Sequence, residues 1–294
     1  MVYRINSNLP SSIIPIDSWK KNPKSLERIF DVKVPKLNKN TKVLALGSCF
    51  AEHIVNSLRK EGVAVAGPAN FFFYDDAITT SLAMKEHFEW CCKDEYLSPS
   101  DSAFHYYCGR ISSGKGAKNL ADSQVDIENA KKYSLETLVN ATLVILTLGL
   151  SEVWYDESND FSVWKWPGKD AAKNLKFKML SAQENYENIK KTVELIRQKN
   201  SNCSIVFTLS PIPLAATFRN DYNINVSNCA SKTRLRAGLD QFFFDNKDEG
   251  VFYWPSYEYV TQTENVWQDD DRHVKEETIE KIMNYFLIKT GLKQ

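Results

Sequence analysis

The sequence has no long hydrophobic run and no excess of charge of either sign. No segment approaches the roughly 18 consecutive apolar residues of a membrane-spanning helix, and the first ten residues lack the basic and apolar stretches of a signal peptide. The 37 lysines and arginines balance 37 aspartates and glutamates, so no net field favours nucleic acid or an anionic membrane. We therefore expect a cytoplasmic protein with no membrane span and no nucleic-acid partner.

The cysteines also lack any pattern typical of a metal site. The six cysteines occur at positions 49, 91, 92, 108, 203 and 229, without the paired spacing of zinc ligands. This usage indicates reduced cysteines, and we expect a site that contains neither metal nor cofactor. With 294 residues, the chain is long enough to bury a sizeable core.

The sequence does contain a buried-strand pattern that ends in a serine. Residues 42–47 form an apolar run, Gly47 permits a sharp turn, and an amphipathic helical pattern covers residues 49–61. Ser48 would then lie at a helix N-terminus, where free backbone N–H groups and the helix dipole favour negative charge. A serine nucleophile and its oxyanion need such an environment. Taken alone, however, a serine in this position is more often a simple helix N-cap.

A carboxylate and an imidazole stand three residues apart near the other end of the chain. A tight turn would bring Asp270 to Nδ1 of His273 and leave Nε2 free to take a proton from a serine. The neighbouring Asp269 and Asp271 are alternatives, but the spacing favours Asp270. A solvated acidic loop is the other interpretation of this run; the presence of Ser48 favours the catalytic one.

Residues 47–51, Gly-Ser-Cys-Phe-Ala, resemble the signature of the GSCFA family, a branch of the SGNH/GDSL-type hydrolases. Further blocks similar to that family follow in order at residues 147–154, 209–214, 231–236 and 270–274. The resemblance covers most of the chain and implies a three-layer α/β/α sandwich with a central parallel sheet. It also implies Ser48 as the nucleophile, with Asp270 and His273 completing the triad.

The candidate oxyanion donors depart from the wider SGNH pattern. Where those enzymes carry Gly-x-Asn-Asp, residues 149–152 read Gly-Leu-Ser-Glu, so Ser151 replaces the asparagine with a weaker donor. The backbone N–H of Cys49 would act together with Ser151 or with the side chain of Asn70. A turn residue is the alternative interpretation of Asn70.

Strands and helices alternate along the chain. A proline-punctuated arm, residues 1–40, precedes a catalytic domain at 41–294. Further strands are expected at 63–65, 142–148, 204–209 and 251–254, and further helices at 75–92, 125–140, 183–200, 226–245 and 275–290. An aromatic-rich insert at about 151–180 shows no clear period, and we expect a long functional loop at a strand's carboxyl end.

Four side chains are candidates for substrate binding. Glu152 and Trp154 lie in the insert, where holding the catalytic loop is the alternative to contacting substrate, and Lys232 and Arg236 lie one turn apart on a helix. The two cations could clamp a carboxylate or phosphate. Equally, they could pair with acidic neighbours and fix the loop above the sheet.

The resemblance implies O-acyl ester hydrolysis through an acyl-enzyme on Ser48, acting on an O-acetyl group of a sugar or polysaccharide. Two alternatives remain open: a carbohydrate O-acyltransferase with the same triad, and a non-catalytic carbohydrate- or partner-binding module. A cytoplasmic location favours transfer or intracellular trimming over degradation of external polysaccharide. Association with a polysaccharide-biosynthesis enzyme would suit such a role.

Overall fold

Short apolar strands form the centre of the fold in a computed structural model that describes residues 28–66, 78–92, 131–157, 161–163, 173 and 175–293. The strands within these ranges are β1 (Lys42–Gly47), β2 (Ala64–Ala66), β3 (Leu143–Leu148), β4 (Glu152–Asp156), β5 (Phe161–Val163), β6 (Lys176–Met179), β7 (Ser204–Leu209) and β8 (Val251–Trp254).

Helices connect most of these strands. They are α1 (Cys49–Lys60), α2 (Ser81–Cys92), α3 (131–140), α4 (Ala182–Lys199), α5 (Ile224–Asp245), α6 (Ser256–Gln262) and α7 (Glu276–Thr290). Most lie within two residues of the predicted bounds. The helix predicted at 75–92 begins only at Ser81, with residues 78–80 non-helical, and α6 was not predicted. The first part of the helix predicted at 125–140 lies outside the described residues.

The main sheet is parallel throughout, with strand order β2-β1-β3-β7-β8. Every residue of β3 is buried, as expected for a central strand covered on both faces. The strand order reverses between β1 and β3, because β2 lies on one side of β1 and all later strands on the other. Ligands bind to sheets of this kind at such a reversal, at the carboxyl ends of the strands.

Apolar side chains cover the sheet on both faces. One face packs against α1, α6 and α7, and the other against α2, α3, α4 and α5. Representative buried residues of the first cluster are Phe50, Leu58, Val260 and Ile282, and of the second Met84, Leu138, Ile196 and Leu239. The predicted three-layer α/β/α sandwich around a parallel sheet is confirmed.

The insert contains regular structure that the sequence did not predict. Strands β4, β5 and β6 form a small antiparallel sheet in the order β5-β4-β6, so the long irregular loop predicted at about 151–180 is wrong where the structure describes that segment. The carboxylate of Glu86 on α2 accepts hydrogen bonds from the backbone N–H and the hydroxyl of Ser162, at 2.7 and 2.6 Å. These bonds fasten the small sheet to the main body.

The described part of the predicted N-terminal arm packs on the same body. Phe30 is fully buried and stacks on Trp254 with ring centroids 4.7 Å apart. The backbone N–H of Leu37 donates to the carbonyl of Thr290 at 2.8 Å. The boundary between arm and domain stays a prediction. None of the helices in the described ranges combines the length and apolar composition needed to cross a membrane.

Candidate active site

A turn that only glycine can make delivers Ser48 to the carboxyl edge of the sheet. Gly47 has a φ of +131°, and a Cβ atom there would lie 2.1 Å from the carbonyl oxygen of Thr147. This close approach lets the N–H of Ser48 donate to the same carbonyl at 3.1 Å. Because the turn joins β1 directly to α1, Ser48 lies at the helix N-terminus, as the sequence predicted.

The Ser48 hydroxyl does not cap that helix. Its side chain forms no cap hydrogen bond, and the residue is only 7% exposed. Within the described residues, its Oγ is buried and has no hydrogen-bond partner. The oxygen of a serine that served only as an N-cap would accept a hydrogen bond from a backbone N–H of the first turn. The simple N-cap interpretation therefore does not account for this side chain.

Gly149, the residue after β3, borders Ser48. A Cβ atom on Gly149 would lie 3.5 Å from the Cβ of Ser48 and 3.3 Å from the carbonyl oxygen of Thr79. That carbonyl accepts the N–H groups of Gly149 and Leu150 at 2.6 and 3.2 Å. The absence of a side chain at Gly149 thus keeps space beside the serine, at the point where the strand order reverses.

Asp270 is the aspartate that contacts His273. Its Oδ2 lies 2.5 Å from His273 Nδ1, and its Oδ1 accepts the backbone N–H groups of Arg272 and His273 at 3.0 and 2.9 Å. These hydrogen bonds hold the pKa of Asp270 well below its ordinary value. The backbone N–H of His273 has the largest effect, followed by the His273 imidazole. The ionised carboxylate orients an imidazole whose Nδ1 carries the proton.

Arg272, which sequence reasoning missed, contacts the other nitrogen of the same ring. Its Nη1 lies 3.5 Å from His273 Nε2. A guanidinium can only donate, so Nε2 is the acceptor in this contact. Contacts at both nitrogens therefore favour the tautomer that can take a proton at Nε2. The sequence did not predict this contact, because an arginine in an acidic loop is ordinarily a solvated side chain.

The histidine loop and the serine turn are anchored in the same apolar cluster. An antiparallel bridge joins Trp267 to Val274, and Asp271 adopts a φ of +52° at the tip of the loop. Val274, next to His273, is buried in the cluster that also contains Phe50, two residues after Ser48. The fold thus fastens both segments to the same side of the sheet, but Ser48 Oγ forms no hydrogen bond with His273 in the described structure.

Ser151 is buried, and its hydroxyl is already hydrogen-bonded to other residues. Its hydroxyl donates to the carbonyl of Ser231 at 2.9 Å, its N–H donates to Ser231 Oγ at 2.8 Å, and Asn185 Nδ2 donates to its Oγ at 3.2 Å. A serine hydroxyl has one proton, so an oxyanion role for Ser151 would require the bond to Ser231 to break. That role stays a prediction. Ser231, which holds Ser151, was noted in the sequence only as part of a family block.

Lys232 joins the ends of two central strands. It is 1% exposed, and its Nζ donates to the carbonyls of Gly149 and Ser210, each at 2.7 Å. Arg236, one turn further on α5, instead pairs with Glu258 at 2.7 Å and Asp240 at 3.0 Å. Arg236 thus pairs with acidic neighbours, as one interpretation expected, whereas Lys232 binds two main-chain carbonyls; a contact with substrate stays a prediction for both.

Glu152 and Trp154 lie on one face of the small sheet, under the loop that precedes α5. Thr217 donates to Glu152 Oε1 at 2.9 Å, and Trp154 meets Phe218 edge to face with ring centroids 4.8 Å apart. Burial raises the pKa of Glu152, against the lowering effects of Thr217 and of the Arg219 guanidinium. Substrate contact by either residue stays a prediction.

The remaining predicted donors are a backbone group and an amide. The N–H of Cys49 belongs to the first turn of α1, where backbone N–H groups have no intrahelical acceptor. Asn70 lies outside the described residues. Across the ranges that the structure describes, no group of three or more His, Cys, Asp or Glu side chains is arranged to hold a metal ion.

Comparison with solved structures gives distant similarities. A GDSL-like lipase from Parabacteroides merdae matches with a TM-score of 0.41 and 11% identity over 88% of this chain and 100% of its own. The acetyl xylan esterase Est2A from the rumen bacterium Butyrivibrio proteoclasticus matches with the same score and identity, over 88% of this chain and 66% of its own. No curated protein matches the sequence.

The family comparison is more specific. The profile of the GSCFA family matches residues 42–286, from the start of β1 almost to the end of α7. The match includes the strand–serine turn, the Gly149 segment, the Lys232 helix and the histidine loop. The resemblance of the sequence blocks is thereby confirmed, and the chain belongs to the GSCFA family.

Proposed function

We propose that this protein is a serine-dependent O-acyl ester hydrolase with Ser48 as nucleophile. The observation that carries the proposal is the buried hydroxyl of Ser48, which lies at a helix N-terminus and has no hydrogen-bond partner in the described part of the chain. An unpaired buried hydroxyl costs free energy, about 1–3 kcal/mol, and a function that needs a free nucleophile explains why it is kept.

Acylation would proceed by proton transfer to the histidine, once the imidazole has come within hydrogen-bond reach of Ser48 Oγ, a contact that the described structure does not contain. The Oγ of Ser48 attacks the ester carbonyl carbon as its proton passes to Nε2 of His273, and Asp270 stabilises the imidazolium through Nδ1. Collapse of the tetrahedral intermediate breaks the bond to the alcohol oxygen, which takes the proton from Nε2. The alcohol leaves, and the acyl group remains on Ser48 as an ester.

Deacylation reverses these roles with water as the nucleophile. His273 removes a proton from water, the resulting oxygen attacks the acyl-Ser48 carbonyl, and Nε2 returns a proton to the serine. The net reaction consumes one water and releases one carboxylic acid and one alcohol. No cofactor is required at any step.

The oxyanion would be stabilised first by the N–H of Cys49 and the positive end of the α1 dipole. A side-chain donor from Ser151 or Asn70 remains part of the proposal. For Ser151 the bond to Ser231 must first open, so its contribution would depend on a local rearrangement.

We propose a sugar or polysaccharide O-acetyl ester as the substrate. Trp154 lies near Glu152 on the insert that follows β3, and it meets Phe177 of the insert and Phe218 of the loop before α5 edge to face. Aromatic side chains combine a large apolar surface with specific geometry, which suits the C–H faces of a sugar ring. The carboxylate of Glu152 could accept hydrogen bonds from hydroxyl groups beside them.

The test is acetate release from a panel of O-acetylated saccharides, with aryl acetates as simple substrates. We expect turnover by the wild-type chain and a loss of at least about 10³-fold in His273→Gln, because nucleophile and base act as a unit. Acetate transferred to an added saccharide rather than to water would indicate an acyltransferase. Saccharide binding without turnover would contradict the hydrolase and support a binding module.

A further inference from the structure

The Arg272 guanidinium occupies a site next to the atom that the proposed mechanism uses as its base. Its Nη1 is 3.5 Å from His273 Nε2, and its Nε is buried with no hydrogen-bond partner among the described residues. A buried donor without a partner on a permanently charged group is costly, so the guanidinium would gain from an acceptor at its exposed end. That end, Nη1, lies beside the histidine.

The chain itself does not supply that acceptor in the described part. Arg197, Arg219 and Arg236 each form an ion pair with a carboxylate, whereas Arg272 forms none within 4.0 Å there. Asp270, the carboxylate that contacts the same imidazole, already receives the His273 ring and two backbone N–H groups. The charge of Arg272 is thus left available to a ligand.

The backbone around Arg272 is fixed, which makes its position reproducible. Its N–H donates to Asp270 Oδ1 at 3.0 Å, the preceding Asp271 holds a positive φ of 52°, and the loop closes through the Trp267–Val274 bridge. A side chain on such a turn begins from a defined point, so less entropy is lost when it binds an anion.

We infer that Arg272 recognises a carboxylate or phosphate on the alcohol part of the ester, so that the protein acts on anionic acylated substrates. The inference rests on the proposed function. In that mechanism Nε2 of His273 delivers its proton to the departing alcohol oxygen, so a group beside Nε2 faces the alcohol rather than the acyl chain. A guanidinium binds both anions by paired hydrogen bonds.

Anion binding would also free the base. In the structure, Arg272 donates towards Nε2, the atom that must accept the Ser48 proton. A substrate anion is a stronger acceptor than a neutral imidazole nitrogen and would draw the guanidinium away. The anionic substrate would thereby be both bound and favoured in catalysis.

The test compares 3-acetoxybenzoate with its neutral counterpart 3-acetoxybenzamide, and 3-acetoxyphenyl phosphate supplies the phosphate arm. In Arg272→Gln we expect kcat/KM for the anionic esters to fall about 10- to 100-fold relative to the amide, as expected for loss of a charged hydrogen bond. Arg272→Lys should restore part of the preference. Arg28→Gln, which removes a cation near Asp31 and the far end of α7, is the matched control and should leave the ratio unchanged.

Two further readouts separate this inference from the proposed function. The phenyl monoester of succinic acid carries its anion on the acyl side, and its rate should not depend on Arg272. Binding of 3-hydroxybenzoate, measured by calorimetry, requires no turnover and should weaken in Arg272→Gln even if no ester is hydrolysed. Equal losses on anionic and neutral esters, or unchanged binding of 3-hydroxybenzoate, would overturn the inference; lack of turnover alone would count only against the hydrolase.

Discussion

Gly149 lies directly against Ser48, with only 3.5 Å between the Ser48 Cβ and the position that a Cβ on Gly149 would take. Ser48 follows β1 and Gly149 follows β3, and the strand order of the sheet reverses between these two strands. The carbonyl of the same glycine accepts a hydrogen bond from the Lys232 ammonium. One residue thus joins the buried lysine to the proposed nucleophile.

A side chain at Gly149 should reduce activity without preventing folding. In Gly149→Ala the new methyl would lie 3.3 to 3.5 Å from Thr79 and Ser48, so small shifts can admit it at a cost of about 1–3 kcal/mol. We expect a folded protein whose esterase rate falls at least about 10-fold, and a larger loss in Gly149→Val. Thermal unfolding and aryl-acetate kinetics would show this. Undiminished turnover by Gly149→Val would show that a side chain at this position does not crowd Ser48.

Removing the Lys232 ammonium should destabilise the fold. Lys232→Met leaves the buried carbonyls of Gly149 and Ser210 without this donor, which we expect to cost about 2–4 kcal/mol. Urea unfolding would measure the loss. Lys132→Met removes an exposed lysine from a 4.0 Å pair with Glu136 and should change the free energy of unfolding by less than about 1 kcal/mol. Similar small changes in both variants would refute a structural role for Lys232.

The three adjacent aspartates allow a matched test of the histidine partner. Asp270→Asn removes the carboxylate that orients Nδ1, and we expect kcat to fall about 10³- to 10⁴-fold, as for other triads. Asp269→Asn and Asp271→Asn make the same chemical change next to it and should retain activity. Asparagine tolerates the positive φ of position 271, so that control should fold. Equal losses in all three variants would argue against a specific role of Asp270.

Glu152 should make stability depend on pH. Its raised pKa means that the folded state favours the protonated carboxyl. The stability that protonated Glu152 gives the fold is therefore fully present below the unfolded pKa of about 4.3, and it is lost as pH rises through the pKa of the folded state. Glu152→Gln should therefore gain stability relative to wild type between about pH 4 and pH 7.

Urea titrations at both pH values would measure that gain, with Glu277→Gln on the exposed face of α7 as the control. The neutral amide of Glu152→Gln still offers an oxygen to Thr217, so the hydrogen bond is not the variable. A variant that loses stability on going from pH 4 to pH 7 relative to wild type would have the wrong sign for this account.

The sequence predicted the main sheet well because its strands are continuous apolar runs. β7 and β8 have the predicted bounds, and Ser48 follows β1 at the expected turn. The Asp270–His273 contact was also predictable, since a three-residue spacing fits a single turn. These features depend on neighbours in the sequence or on hydrophobicity, both of which can be seen without a structure.

The remaining features depend on distant partners. The strands of the insert are three to five residues long and mix lysines with aromatic residues, which hides their alternation. Lysine is rarely buried, and the burial of Lys232 follows from the carbonyls of Gly149 and Ser210, which come directly after two strands distant in sequence. The occupied hydroxyl of Ser151 likewise follows from Ser231, 80 residues away.

Covalent labelling with a fluorophosphonate tests the central claim most directly, since the probe reacts with an activated serine. Ser48→Ala is compared with Ser227→Ala, which removes another buried hydroxyl without a partner in the described part of the chain. We predict one adduct per wild-type and Ser227→Ala chain, mapped to the peptide that contains Ser48, and none in Ser48→Ala. A folded wild-type chain without an adduct, or a label that survives in Ser48→Ala, would contradict Ser48 as the nucleophile.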